Sequence, residues 1–149
     1  MAELSRITTA DVDSVVGWTV IRAAREAKRV LTSVLRKHNL TPVEFGVLAQ
    51  LAAAHGTLTQ ADVARLTEIR PQSVAPIIDG LSDRNLLTRE GVRGRGRSGR
   101  LTLTVDGAQV LGAAFPDVVA TNQAFAATPT GMTIVNDELL TFLSRSKEV

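Results

Sequence analysis

"LTQADVARLTEIRPQSVAPIIDGLSDRNLLTREGVRGRGRSGRLTLT", residues 58–104, decides how this chain folds. Thr59 followed three residues later by the acid Asp62 is the signature of a helix start, a hydroxyl cap and an acid reaching back to it. Val63, Ala64 and Leu66 give the short helix that follows an apolar side. Residues 67–70 read as a turn. Pro71 suits the first position of the next helix, where the missing N–H costs nothing. Val74, Ile77, Ile78 and Leu81 recur at helical steps and carry it to about Arg84, and Asn85 ends it. Leu86-Leu87-Thr88-Arg89 and Leu101-Thr102-Leu103 have strand character, and eleven residues, largely Arg and Gly, join them. That pattern predicts a β-hairpin with a long basic tip.

Inside the tip, Gly94, Gly96 and Gly99 spell G-x-G-x-x-G. A dinucleotide-binding loop needs a helix opening directly after the glycines, because the helix amides hold the pyrophosphate. Here Arg100-Leu101-Thr102-Leu103 follows, a strand pattern, and the intervening arginines are bulky for a tight phosphate loop. The pattern is therefore read as a flexible, cationic hairpin tip. Residues 89–100 hold five arginines against one glutamate, a local +4 on a chain whose total is only +2. A basic protrusion on a nearly neutral body points to a polyanionic partner.

Upstream, Thr41-Pro42-Val43-Glu44 is another helix start, with cap, first-turn proline and capping-box acid. Phe45, Val47, Leu48, Leu51 and Ala52 are expected to face inward, and His55-Gly56 to stop the helix. Before it, residues 11–38 read as one long amphipathic helix, with Val12, Val16, Val20, Ala23, Ala27, Val30 and Val34 in a stripe widened by Leu31 and Leu35. Asn39 is expected to stop it in a left-handed conformation. Downstream, Thr104 caps a helix from Val105 whose pattern runs through Ala108, Leu111, Phe115 and Val118 or Val119, with Pro116 expected to kink or divide it. Thr128-Pro129 opens a last amphipathic helix with Met132, Val135, Leu139, Phe142 and Leu143.

The 149 residues, 44% hydrophobic and 21% charged, suffice for one domain with helical extensions. With no cysteine, disulfides, thiolate metal sites and cysteine redox sensing are excluded. No apolar run has membrane-spanning length, and "MAELSRITTADVDS" lacks the apolar core of a signal peptide, so the expected location is the cytoplasm. No catalytic constellation is visible. Ser73 has no evident base, and Asp137-Glu138 are expected to begin a helix, where the macrodipole favours acids. His38 and His55, at predicted helix ends, are expected to be solvent-facing or C-terminal helix residues. An enzyme, a metal site and a cofactor are not expected.

A short helix, a tight turn, a second helix and a hairpin make a winged helix-turn-helix. The second helix can enter a major groove, and the Arg-rich wing can follow the backbone into the minor groove. At "LTQADVARLTEIRPQSVAPIIDGLSDRNLLTRE" and "RSGRLTLTVDG" the sequence resembles the MarR-type (multiple antibiotic resistance) transcriptional regulators. The expected fold is mostly α with a small β-hairpin. A DNA-binding lobe would span 41–104, and helices at 11–38 and 105–146 would form the dimerisation region.

Two departures from the family pattern stand out. Arg97 matches its wing arginine, but Arg95 stands where aspartate is usual. Pro76 stands where many members carry arginine, which leaves base readout to Arg70, Gln72 and Ser73. Arg93, Arg95, Arg97 and Arg100 are the expected backbone contacts. The resemblance further implies a homodimer acting on double-stranded, palindromic operator DNA, most simply as a ligand-responsive repressor. It also implies an effector cavity for phenolic or other aromatic molecules, for which Trp18, Phe45 and Phe115 are the candidate lining. The alternative is a winged-helix protein-interaction module without effector response. The stripes of 11–38 and 129–145 are too wide for a small winged domain to cover, which by itself predicts a two-fold dimer.

Overall fold

The computed structural model describes residues 6–55, 58–91 and 99–146. Its elements are α1 (Thr9–Asp13), α2 (Val16–Leu35), α3 (Pro42–Ala53), β1 (Leu58–Thr59), α4 (Gln60–Thr67), α5 (Pro71–Asp83), β2 (Leu87–Glu90), β3 (Arg100–Leu103), α6 (Val105–Ala120) and α7 (Pro129–Arg145). The strands form one antiparallel sheet in the order β1-β3-β2.

The capping logic of the sequence appears as hydrogen bonds. At α3 the Thr41 N–H donates to Glu44 Oε2 at 2.8 Å, and the Glu44 N–H donates to Thr41 Oγ1 at 3.2 Å. Thr59 and Asp62 make the same reciprocal pair at α4. Thr104 and Thr128 cap α6 and α7 by accepting from the amides of Gly107 and Gly131. At the C-terminal ends, Asn39 (φ 53°) and Asn85 (φ 57°) take the left-handed conformation, whose penalty is smallest for glycine and asparagine. His55 (φ 51°) does so after α3, one residue before the expected glycine.

The core lies among α2–α6 and the sheet. Leu35, Val47, Leu48, Leu51, Val63, Val74, Ile78, Leu81, Leu87 and Leu101 are essentially inaccessible to solvent. Each projects from an element whose apolar period matches its geometry. One close approach fixes how the sheet meets α6. A Cβ on Gly107 would lie 1.9 Å from the carbonyl oxygen of Leu86, so only glycine fits in this first turn. Thr104 Oγ1 donates to the Asn85 carbonyl at 2.6 Å, and Asn85 Nδ2 donates to Asp106 Oδ2 at 2.8 Å, tying the same corner.

Several expectations are corrected. Residues 11–38 are not one helix. The chain breaks at Ser14–Val15, where Val15 is extended, and the end at Arg36–His38 is a 3₁₀ turn. Ser14 turns its hydroxyl onto the Asp11 carbonyl, and the Val15-Val16-Gly17 run is poor in helix formers. Ala52 is exposed, as are Ala108 and Phe115. The inner face of α6 keeps the expected Leu111 and Val118 and adds Gly107 and Ala114. Pro116 does not divide α6, which runs on to Ala120 before a 3₁₀ turn over Thr121–Ala124. Asp137 and Glu138 lie in the middle of α7, beyond the reach of its N-terminal dipole. His38 is the last residue of the 3₁₀ turn, in line with the expected helix end, but its side chain is largely covered. Its Nε2 lies 2.6 Å from Asp117 Oδ2, a partner 79 residues away that no local spacing could reveal.

Candidate nucleic-acid interface

The α4–turn–α5 unit is built from short-range bonds. Asp62 accepts from the Thr59 amide and hydroxyl and from Arg65 Nη2, which hold its carboxyl below the usual aspartate range. Thr67 Oγ1 donates to the Val63 carbonyl, Glu68 turns left-handed (φ 55°), and the Ile69 N–H closes onto the Ala64 carbonyl at 3.1 Å. Arg70 is then the extended residue before α5, and its carbonyl accepts from the Ser73 N–H at 2.8 Å.

Val74, Ile78 and Leu81 anchor α5 in the core. The helix therefore turns Arg70, Pro71, Gln72 and Ser73 outward, all four exposed, at the end where its dipole favours anions. The structure thus brings together the three residues expected to read bases, Arg70, Gln72 and Ser73, on one exposed turn. Pro76 sits inside the same helix, also exposed, and α5 stays helical from Pro71 to Asp83 across it. Without an N–H, Pro76 gives the Gln72 carbonyl no partner one turn on.

The hairpin follows in register: Leu87 opposite Leu103, Thr88 opposite Thr102, Arg89 opposite Leu101, Glu90 opposite Arg100. Gly91 (φ 135°) and Gly99 meet where the hairpin narrows, and a Cβ on Gly91 would lie 3.3 Å from the Gly99 Cα. Arg100 is exposed, flanked by Thr59 on β1 and Glu90 on β2. Arg93, Arg95 and Arg97 lie outside the described residues. Arg89, counted in the basic run of the sequence, donates from Nη2 to Asp79 Oδ1 of α5 at 2.5 Å. That pair offsets the one acid midway along the outer face of α5.

The sheet has a strand that the sequence reading missed. β1 is two residues long, Leu58 opposite Leu101 and Thr59 opposite Arg100. Two residues carry no period, so nothing local marks them as strand. The pairing joins the start of α4 to the base of the wing.

Of the residues expected to line an effector cavity, Phe45 and Phe115 meet, with ring centroids 6.1 Å apart and planes 29° apart. Phe115 borders an apolar cavity of about 510 Å³ with Ala49, Leu103 and Leu111. Trp18 stands on α2 with the Arg25 guanidinium 5.8 Å from its ring centroid. A larger cavity of about 790 Å³, lined by Lys28, Thr32, Val43, Gln50, Ile69 and Ile77, lies between α2, α3 and the start of α5. The sequence reading missed it, because its walls come from the polar face of α2 and the edges of α3 and α5.

Among the described residues there is no group of three or more potential metal ligands, and no helix is long and apolar enough to cross a membrane. Many solved structures share this architecture. A MarR family regulator from Rhodococcus sp. RHA1 is 21% identical, covers 95% of this chain and 99% of its own, and superposes with a TM-score of 0.79. CouR from Rhodococcus jostii RHA1, bound to p-coumaroyl-CoA, is 20% identical over 89% of this chain and 92% of its own, at 0.77. The transcriptional repressor CouR bound to a 23-mer DNA duplex is 25% identical over 95% and 99%, at 0.75. No curated protein sequence matches. In sequence, the MarR family matches residues 38–98, the segment from the end of α2 into the wing. Over residues 38–98 the chain is similar to the MarR family in sequence, and over nearly its whole length it shares the winged helix-turn-helix fold of these structures.

Proposed function

We propose that this chain is a DNA-binding transcriptional regulator of the cytoplasm that acts as a two-fold dimer and responds to a small aromatic ligand, most simply as a repressor at a palindromic operator. The observation that carries the reading is the exposed first turn of α5, with Arg70, Gln72 and Ser73 outward, and a cationic hairpin that follows the same helix and bonds to it through Arg89 and Asp79. A helix held by its buried side and presenting polar N-terminal residues is the shape that enters a major groove. The lobe at 41–104 does this work, and 11–38 with 105–146 supply the dimer contacts. Gln72 can pair with adenine and Arg70 with guanine. Arg93, Arg95, Arg97 and Arg100 supply phosphate and minor-groove contacts.

CouR bound to p-coumaroyl-CoA and CouR bound to a DNA duplex support a regulator that takes both kinds of partner. For the effector, the 790 Å³ cavity offers apolar walls with one lysine, Lys28, which suits an aromatic acid or phenolate. Phe115 borders the second apolar cavity with Phe45 stacked against it, while Trp18 lies further along α2. A ligand wedged between α2 and the α4–α5 turn would act by binding one spacing of the two recognition helices better than the other.

The test compares two variants on selected operator and on scrambled duplex at several salt concentrations. Gln72→Ala is expected to cost about 1–3 kcal/mol on operator and much less on scrambled DNA. Arg97→Ala is expected to weaken both by a similar factor and to lower the salt slope by roughly one unit per lost phosphate contact. Equal affinity of the unmodified protein for operator and scrambled duplex at every salt concentration would remove this reading and favour the protein-interaction module.

A further inference from the structure

The outer face of α5 has an unusual centre. Gln72, Ser73, Pro76 and Asp79 lie at helical steps along it, and all four are exposed. From Pro71 to Asp83 the helix has no lysine or arginine, so beyond Arg70 it holds none of the side chains that read guanine bidentately. Asp79 is engaged by Arg89. What the middle of the face presents is the Pro76 ring.

Proline is the poorest residue for a helix interior. It forfeits one backbone bond and crowds the preceding turn. Pro76 is not among the core residues that could offset this cost, since it is exposed while Ala75 and Ile77 on either side are partly covered. In the major groove one base feature is apolar, the C5-methyl of thymine, and compact apolar groups are what read it. We propose that Pro76 is a specificity-determining residue that contacts a thymine methyl at the centre of each operator half-site. This rests on the reading of α5 as a recognition helix. Gln72, one turn earlier on the same face, would then read the adjacent adenine, so each half-site has an A·T-rich centre.

The test leaves the protein untouched in its first arm. Duplexes that bind the full-length protein are selected from a random pool, and each thymine of the consensus half-site is replaced in turn by deoxyuridine, which lacks only the methyl. Replacement at one central position is expected to weaken binding about fourfold per half-site, the worth of one buried methyl group. In the second arm, Pro76→Gly is expected to bind thymine and uracil duplexes equally, with circular dichroism verifying that α5 is retained. Deoxyuridine at every position leaving affinity unchanged, on a duplex still bound in preference to scrambled DNA, would overturn the role of Pro76 while sparing the regulator reading. A thymine–uracil difference that survives unchanged in Pro76→Gly would assign the methyl contact to another residue. Failure to select any duplex would overturn the regulator reading and this inference with it.

Discussion

The lobe that holds α3 to β3 and the helices at the two ends of the chain treat their apolar residues in opposite ways. In the lobe, Val47, Leu48, Leu51, Val63, Val74, Ile78 and Leu81 are fully enclosed by their own chain. In α7 no residue is buried, and Phe142 is 60% exposed along with Ile134, Leu139, Leu140 and Leu143. The start of α2 is similar, with Val16 at 74% and Trp18 and Ile21 also open. Apolar surface in contiguous stripes is unfavourable in water and marks a contact face. The lobe is thus enclosed within one chain, whereas the helices at its ends leave apolar stripes open, which supports the proposed dimer. A second copy is the simplest partner, since it would supply the same stripes in return.

The comparison can be broken first where α6 meets the lobe. Gly107→Ala drives a Cβ into the Leu86 carbonyl at 1.9 Å, where backbone rather than a flexible side chain must give way. The expected cost is about 3 kcal/mol or more, read by urea denaturation. Retention of wild-type stability would mean that the α6 corner is looser than its geometry. At the ends of the chain the same measurement should hardly move. Leu139→Asp with Phe142→Asp is expected to leave the circular dichroism of the lobe in place and to turn a dimer into a monomer by sedimentation. A doubly substituted protein that stays dimeric would show that α7 is not the contact face.

The smallest effect concerns a contact that ties the two end segments to each other. Lys37 and His38, just after α2, converge on Asp117 of α6 at 2.8 and 2.6 Å. The Lys37 ammonium first, then His38, holds the Asp117 carboxyl below its ordinary range. A depressed carboxylate stabilises the fold fully above its unfolded pKa, and that contribution is lost as pH falls through the folded one. Asp117→Asn is therefore expected to lower the melting temperature slightly at neutral pH, with the two proteins converging once the pH drops below the carboxylate range. Partial exposure keeps the difference small. Curves that stay parallel into acid would show that the pair contributes nothing through its charge.

Much of the lobe could be read from residues alone because its signals are local. Thr41 with Glu44, Thr59 with Asp62, Pro71, Asn85 and Thr104 each act within one helical turn, so their spacing in sequence is their spacing in space. The exposure of Arg70, Gln72 and Ser73 followed from the period of Val74, Ile78 and Leu81, which must face inward. The site was harder to read where long-range pairing acts. Nothing near Arg89 announces that Asp79 will take its guanidinium, and nothing near Lys28 announces a cavity wall.

By itself the sequence determined the helices from α3 onward, the two hairpin strands, most of the caps that start and stop them, and the cationic run after α5, because side chains three or four residues apart compete for the same backbone groups. Only the tertiary structure decided that α2 begins at Val16 and that two residues at Leu58–Thr59 become a strand against Leu101. It also decided that His38 meets Asp117 and that Gly107 admits the Leu86 carbonyl. These depend on groups brought together from distant parts of the chain, whose contacts exist only after the core has closed.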